Sequence, residues 1–154
     1  RMYKTARDVL QAHWDGKLPI NPVEIARRMG VVVEADPFMV GSGYYRANHQ
    51  GSPHISFNSL EPAVRQRFTV AHEIGHHVHG DDDAPRDTLE SFNAKSREPR
   101  EVAANKFAAA LLMPAEVVKF LVREQRITDL DILASRFGVS TAAMKFRLKN
   151  LGLI

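Results

Sequence analysis

The residues best suited to chemistry lie in one short run, His72-Glu73-Ile74-Gly75-His76. On a helix, side chains at i and i+4 stand one above the other, with Cβ atoms about 5–6 Å apart. Both imidazoles can then reach one Zn²⁺ at about 2.0–2.1 Å per bond. Glu73 follows His72 by about 100° around the helix. That puts it beside the cation, poorly placed to ligate it and well placed to act as a general base for water.

A catalytic zinc ordinarily takes three protein ligands and leaves a fourth position open. The chain contains no Cys, which excludes thiolate metal sites, disulfides and Cys nucleophiles together, so the third ligand must be His or a carboxylate. Candidates are Asp81, Asp82 and Asp83 just downstream, Glu98 and Glu101 further on, and His79. A short-range ligand at Asp82 would belong to a spacing that needs Gly where this chain has His79. His77 and His79 read as surface residues of the following turn, and the Asp81–Asp83 knot as a solvated helix exit. Glu101 and Asn105 share a helical face at i and i+4, which would direct Glu101 at the metal and leave Asn105 to hydrogen-bond a ligand or the substrate. The competing reading is an alanine-rich packing helix whose Glu98 and Glu101 are solvated first-turn carboxylates. Spacing leaves those two open.

The elements that must hold these groups follow from periodicity and capping. Met2 to Trp14 reads as a helix, broken at Gly16–Pro19; Asn21-Pro22 opens a second, stopped by Gly30. Val31–Val33, Tyr44–Ala47 and His54–Asn58 read as three strands of a small sheet. The strand at His54–Asn58 is expected to offer an edge for an extended substrate. Asn58 or Ser59 caps the metal helix, whose apolar positions Val64, Phe68, Ala71, Ile74 and Val78 keep the helical period up to Gly80. The polar stretch from Asp81 to Arg97 lacks a period and is expected to be a flap over the site. Helices are expected over 98–112, 114–124, 129–137 and 140–150. The fold class is therefore α+β, with an active-site helix, a sheet of about three strands and a mostly helical C-terminal half.

The whole chain sets further bounds. Its 154 residues, 44% hydrophobic and 25% charged, suit a single domain over 1–154 with a sizeable core. No apolar run reaches the roughly 20 residues of a membrane helix, and the N-terminus lacks the apolar stretch of a signal peptide. A cytoplasmic protein that makes no membrane contact is expected. The net charge of +3 is too mild to argue for nucleic acid by itself.

Two longer patterns carry a resemblance. Arg67-Phe68-Thr69-Val70-Ala71-His72-Glu73-Ile74-Gly75-His76 is followed by Glu101-x-x-Ala104-Asn105-x-Phe107-Ala108-x-x-Leu111-Leu112-Met113-Pro114. Together they closely resemble the ImmA/IrrE family of metallo-endopeptidases, as does the opening Leu18-Pro19-Ile20-Asn21-Pro22 through Val31. The resemblance implies a zincin-like domain with His72, His76 and Glu101 as metal ligands and Glu73 as catalytic base. Zn²⁺ is the expected cofactor, though Mn²⁺ and Fe²⁺ also suit two His and a Glu. It implies too a protein substrate, a helix-turn-helix transcriptional repressor whose cleavage relieves repression. One departure stands out: many members carry a second Glu where this chain has Ala103.

An oxyanion partner besides the metal is needed. Tyr44, Tyr45, His54, Arg97 and Arg100 are chemically able, and Tyr45 and His54 are carried forward with Asn105 as residues around the site. A different class of function comes from 128–150. Ala134, Gly138 and the apolar positions between Leu133 and Leu148 are spaced like a helix-turn-helix, and the second helix carries Lys145, Arg147 and Lys149. The alternative is a DNA- or repressor-binding regulatory module with an inactive or structural metal site. Few side chains there suit base readout, so packing is favoured over nucleic-acid contact.

Overall fold

The computed structural model describes residues 3–83 and 98–154. The flap expected over 81–97 lies, from 84 onward, outside the described residues, as does Arg97. The first helix, α1, covers Ala6–His13 and starts later than its apolar pattern suggests. Thr5 and Asp8 form a reciprocal capping box that sets its first turn. Helix α2, Pro22–Arg28, opens as expected, with the Asn21 side chain accepting from the Glu24 N–H and proline in the first turn.

Three strands follow: β1 Val32–Ala35, β2 Gly43–His49 and β3 Ser52–Phe57. Their order is β1-β3-β2, with β1 parallel and β2 antiparallel to β3. β2 and β3 form a hairpin closed by Gln50 (φ 54°) and Gly51 (φ 88°), a two-residue turn with positive φ at both positions. The turn expected over Asn48–Pro53 thus shrinks to two residues, and both strands lengthen into it. β3 is the centre of the sheet, so the edge expected at His54–Asn58 is not there: the edges are β1 and β2. Val33, Tyr45 and Ile55 point inward from the sheet and are buried.

Helix α3, Ala63–Val78, crosses that inner face. Pro62 occupies its cap position without a side-chain bond, so it begins later than a cap at Asn58 or Ser59 would place it. Helix α4, Pro99–Leu112, packs against α3. The two approach closely at Gly75, where a Cβ would lie 3.1 Å from Ala104 Cα and 3.2 Å from Phe107 Cβ. That is tighter than packed carbon atoms accept, so the glycine sets the distance between the helices.

The segment expected as one helix over 114–124 divides into α5, Ala115–Lys119, and a π-helical turn, Phe120–Glu124. Helices α6, Leu130–Phe137, and α7, Thr141–Asn150, are capped by Asp129 and Ser140. Between them Gly138, at φ 64°, ends α6 in the left-handed conformation. Leu133, Phe137, Met144 and Leu148 enter the same core as the sheet and α3. Arg67 of α3 ties this end down, donating to the backbone oxygens of Gly138 at 3.0 Å and of Ile20. Burial of its guanidinium lowers the Arg67 pKa from the ordinary range. No helix among the described residues is long and apolar enough to cross a membrane.

Candidate metal centre

Every residue from Thr69 to His76 is buried, because this half of α3 lies between the sheet and α4. His72, Glu73 and His76 are at most 1% exposed, and Glu101, in the first turn of α4, is 7% exposed. The two imidazoles stand edge to face, with centroids 4.9 Å apart. One ligand atom from each of His72, Glu73 and His76 can be chosen so that all lie within 4.8 Å of one another. Glu101 reaches the same place from α4: its Oε1 is 3.0 Å from His72 Nε2 and its Oε2 is 3.0 Å from His76 Nε2.

The far side of each ring decides what those contacts mean. His72 Nδ1 lies 2.7 Å from Asn105 Oδ1, and His76 Nδ1 lies 2.8 Å from Asp81 Oδ2. Both partners are acceptors, so in a neutral ring the proton sits on Nδ1 and the Nε2 lone pair turns inward. Each inward Nε2 then faces an oxygen of the Glu101 carboxylate, with His72 Nε2 at hydrogen-bond distance from Oε1. His76 Nε2 makes no hydrogen bond, although Glu101 Oε2 is close. Two buried imidazole lone pairs and a carboxylate converging this way suit a divalent cation, and outer partners that orient the rings are the usual companions of such a site.

Asp81 is the group that sequence reasoning misplaced. It is not part of a solvated knot: Gly80, at φ 71°, reverses the chain after α3 and the Asp81 N–H bonds back to His76 O at 3.0 Å. The carboxylate is thereby returned to the last turn of the helix. The signal was the glycine, which permits that reversal. Asn105 meets His72 one turn after Glu101, as the shared helical face suggested, and its partner is the ring.

The sheet supplies the other wall. Gly43, at the start of β2, lies directly over the carboxylate of Glu73: a Cβ here would collide with Thr69 and come within 3.0 Å of Glu73 Oε2. Tyr45, two residues on, is buried, and its hydroxyl is 2.8 Å from His77 Nδ1. Burial pushes its phenol up to about 12, with help from Asp83 and Asp81, and burial lowers the His77 pKa. Both are neutral near pH 7. His77 is thus a half-buried partner of the sheet and not a free surface residue. His54 is not brought to the centre; it lies on the opposite face of the sheet, 3.6 Å from Glu34 and beside His49, in a pocket of about 220 Å³. Arg46 stacks over the Tyr44 ring on that face, while Arg100 pairs loosely with Glu98 at 3.5 Å.

Comparison with known proteins agrees with this architecture. Residues 26–149 match the family described as the IrrE N-terminal-like domain. Two relatives are radiation response metalloproteases of the IrrE type. One, from Deinococcus radiodurans, is 38% identical over 61% of this chain and 30% of its own length. The other, from Deinococcus deserti, is 36% identical over 77% of this chain and 43% of its own. The chain spans less than half the length of these relatives. A solved structure, a transcriptional regulator of Mycobacterium tuberculosis, matches 97% of the chain and 42% of its own at a TM-score of 0.57 and 22% identity, a likeness of fold. With the family pattern covering the sheet, the metal helix and the C-terminal helices alike, this chain belongs to the ImmA/IrrE family of metallopeptidases.

Proposed function

We propose that this chain is a metal-dependent endopeptidase in which His72, His76 and Glu101 hold a divalent cation, Zn²⁺ foremost, and Glu73 is the general base. The observation that carries it is the convergence of both Nε2 atoms on Glu101, each ring oriented from behind by Asn105 or Asp81. A cation bound there supplies Lewis acidity, polarising a peptide carbonyl and easing deprotonation of water. Glu73, fully buried beneath Gly43, takes the proton from that water and returns it to the leaving amine. Its burial excludes bulk water, which would otherwise compete for the proton.

Strand β2 favours a polypeptide substrate. It is the edge of the sheet that begins beside Glu73, β1 being the other, and among the described residues no strand pairs with its outer side. An extended segment can add there as a further strand next to Glu73. We assign a helix-turn-helix repressor as the substrate, on the strength of the family resemblance. The C-terminal helices speak against the alternative of a DNA reader: Met144 and Leu148 of α7 are buried, and Arg147 donates to Met113 O at 3.0 Å. The test is Glu73→Gln. It should keep bound metal and fold while losing cleavage of a repressor substrate; full cleavage by the variant would remove Glu73 from the mechanism.

A further inference from the structure

Among the described residues, a side chain closes the outer side of β2 at one point. Ser42 O accepts from Asn58 N at 2.8 Å, so the peptide groups of Ser42 face β3. In an antiparallel pair the facing alternates every residue. The peptide groups of Tyr44 and Arg46 therefore also face β3, and those of Gly43 and Tyr45 face outward; after Arg46 the register shifts by one residue. Within that shift the Ala47 N–H donates to Asp83 Oδ1 at 2.8 Å. The outward edge thus begins at Gly43, beside Glu73, and meets a carboxylate at Ala47, about 13 Å further along the strand.

A strand added antiparallel to this edge would place a backbone carbonyl opposite each outward N–H. Asp83 Oδ1 already stands where the carbonyl paired with Ala47 would lie. Asp83 reaches that place because it follows the chain reversal at Gly80, the same reversal that returns Asp81 to His76. Capping one edge donor with a charged side chain is also how proteins discourage unwanted strand pairing.

We propose that Asp83 is a specificity-determining cap: it ends the substrate-binding edge of β2 at Ala47 and limits how far a substrate can pair on its N-terminal side. This rests on the peptidase reading above. An antiparallel substrate runs with its N-terminal side toward Ala47, so only extensions on that side meet the cap. A short segment pairs with Gly43 and Tyr45 and leaves Asp83 in place, whereas a longer one must displace it.

The test uses zinc-loaded protein and two probes, a leucine hydroxamate and the same hydroxamate extended at its N-terminus by four alanines. In Asp83→Ala, inhibition by the long probe should tighten by about 2- to 12-fold, the worth of one hydrogen bond, with the short probe unchanged. Asp83→Asn keeps an acceptor and should behave as the wild type, which separates capping from charge. Hydrogen exchange at the Ala47 amide, without any probe, should quicken in Asp83→Ala and stay slow in Asp83→Asn. Equal shifts for both probes, or unchanged Ala47 exchange in Asp83→Ala, overturn the proposal. If neither probe binds while zinc is retained, the cap has no bearing on substrate and the inference fails with the metal centre intact. Failure to hold zinc at all would instead sink the peptidase reading, and Ala47 exchange would still decide whether Asp83 caps the edge.

Discussion

Two pairs of histidines in this molecule have almost the same ring geometry and very different surroundings. His72 and His76 stand 4.9 Å apart at 82°, and His49 and His54 stand 4.8 Å apart at 87°. Each pair also has a glutamate nearby, Glu101 for the first and Glu34 for the second. The first pair is buried and each Nδ1 is held by an acceptor, so both Nε2 lone pairs face Glu101. In the second, Arg46 Nη1 occupies His49 Nδ1 at 2.9 Å, and Glu34 is 3.6 Å from His54 with its side chain 60% exposed. A resident guanidinium both takes the ligand lone pair and repels a cation. Ring proximity is therefore a poor guide to a metal site; the direction of the lone pairs and the sign of the neighbouring charge decide.

The sharpest way to break that comparison is to remove rings from each pair. Ala at His72, His76 or Glu101 should weaken zinc binding by more than about 100-fold, beyond what loss of an outer partner costs. Ala at His49 or His54 should leave affinity and stoichiometry unchanged in the same titration. Wild-type affinity in Glu101→Ala would transfer the third ligand to another carboxylate. A smaller effect is expected from the groups behind the rings. Asp81→Ala and Asn105→Ala should each weaken binding by about 10- to 100-fold with the fold retained, measured by competition against a chromogenic chelator. If neither moves the affinity, ring orientation is not what distinguishes the two pairs.

The smallest effect concerns His77, which borders the centre without facing it. Burial lowers its pKa, so the folded state binds that proton less readily than the unfolded chain does. Its contribution to stability is present above the unfolded value of about 6.5 and is lost as pH falls from there toward the depressed folded value. Urea midpoints of the wild type should fall more steeply below pH 6.5 than those of His77→Gln. Parallel slopes would show that the Tyr45–His77 contact carries no such linkage.

Much of this was legible in the chain because it is local. The i, i+4 relation of His72 and His76 is a property of any helix, and so is that of Glu101 and Asn105. Asn21, Asp129 and Ser140 announce helix starts by the bonds their own side chains make to nearby N–H groups. Three strands and a helical second half follow from β-branched runs and apolar periods. The C-terminal segment was harder to read, since a helix-turn-helix spacing serves a packed core and a groove reader equally well. Burial of Met144 and Leu148 is a fact of packing, with no separate trace in the spacing.

What only the tertiary structure decided depends on groups far apart in sequence. The spacing left open whether Glu101 faced solvent or the histidines. Its approach to them follows from α4 lying against α3, which Gly75 permits by giving Ala104 room. Strand order is likewise nonlocal: β1 pairs with β3, and this moves the edges from His54–Asn58 to β1 and β2 and turns His54 away from the centre while Tyr45 points toward α3. The acidic run shows the division most clearly. Composition identified three adjacent carboxylates, but the reversal at Gly80 sends Asp81 to a ring of the centre and Asp83 to the edge of the sheet. Sequence determines which groups are available and which helical face they share; packing decides which of them meet, because contact between elements depends on the shape of both surfaces.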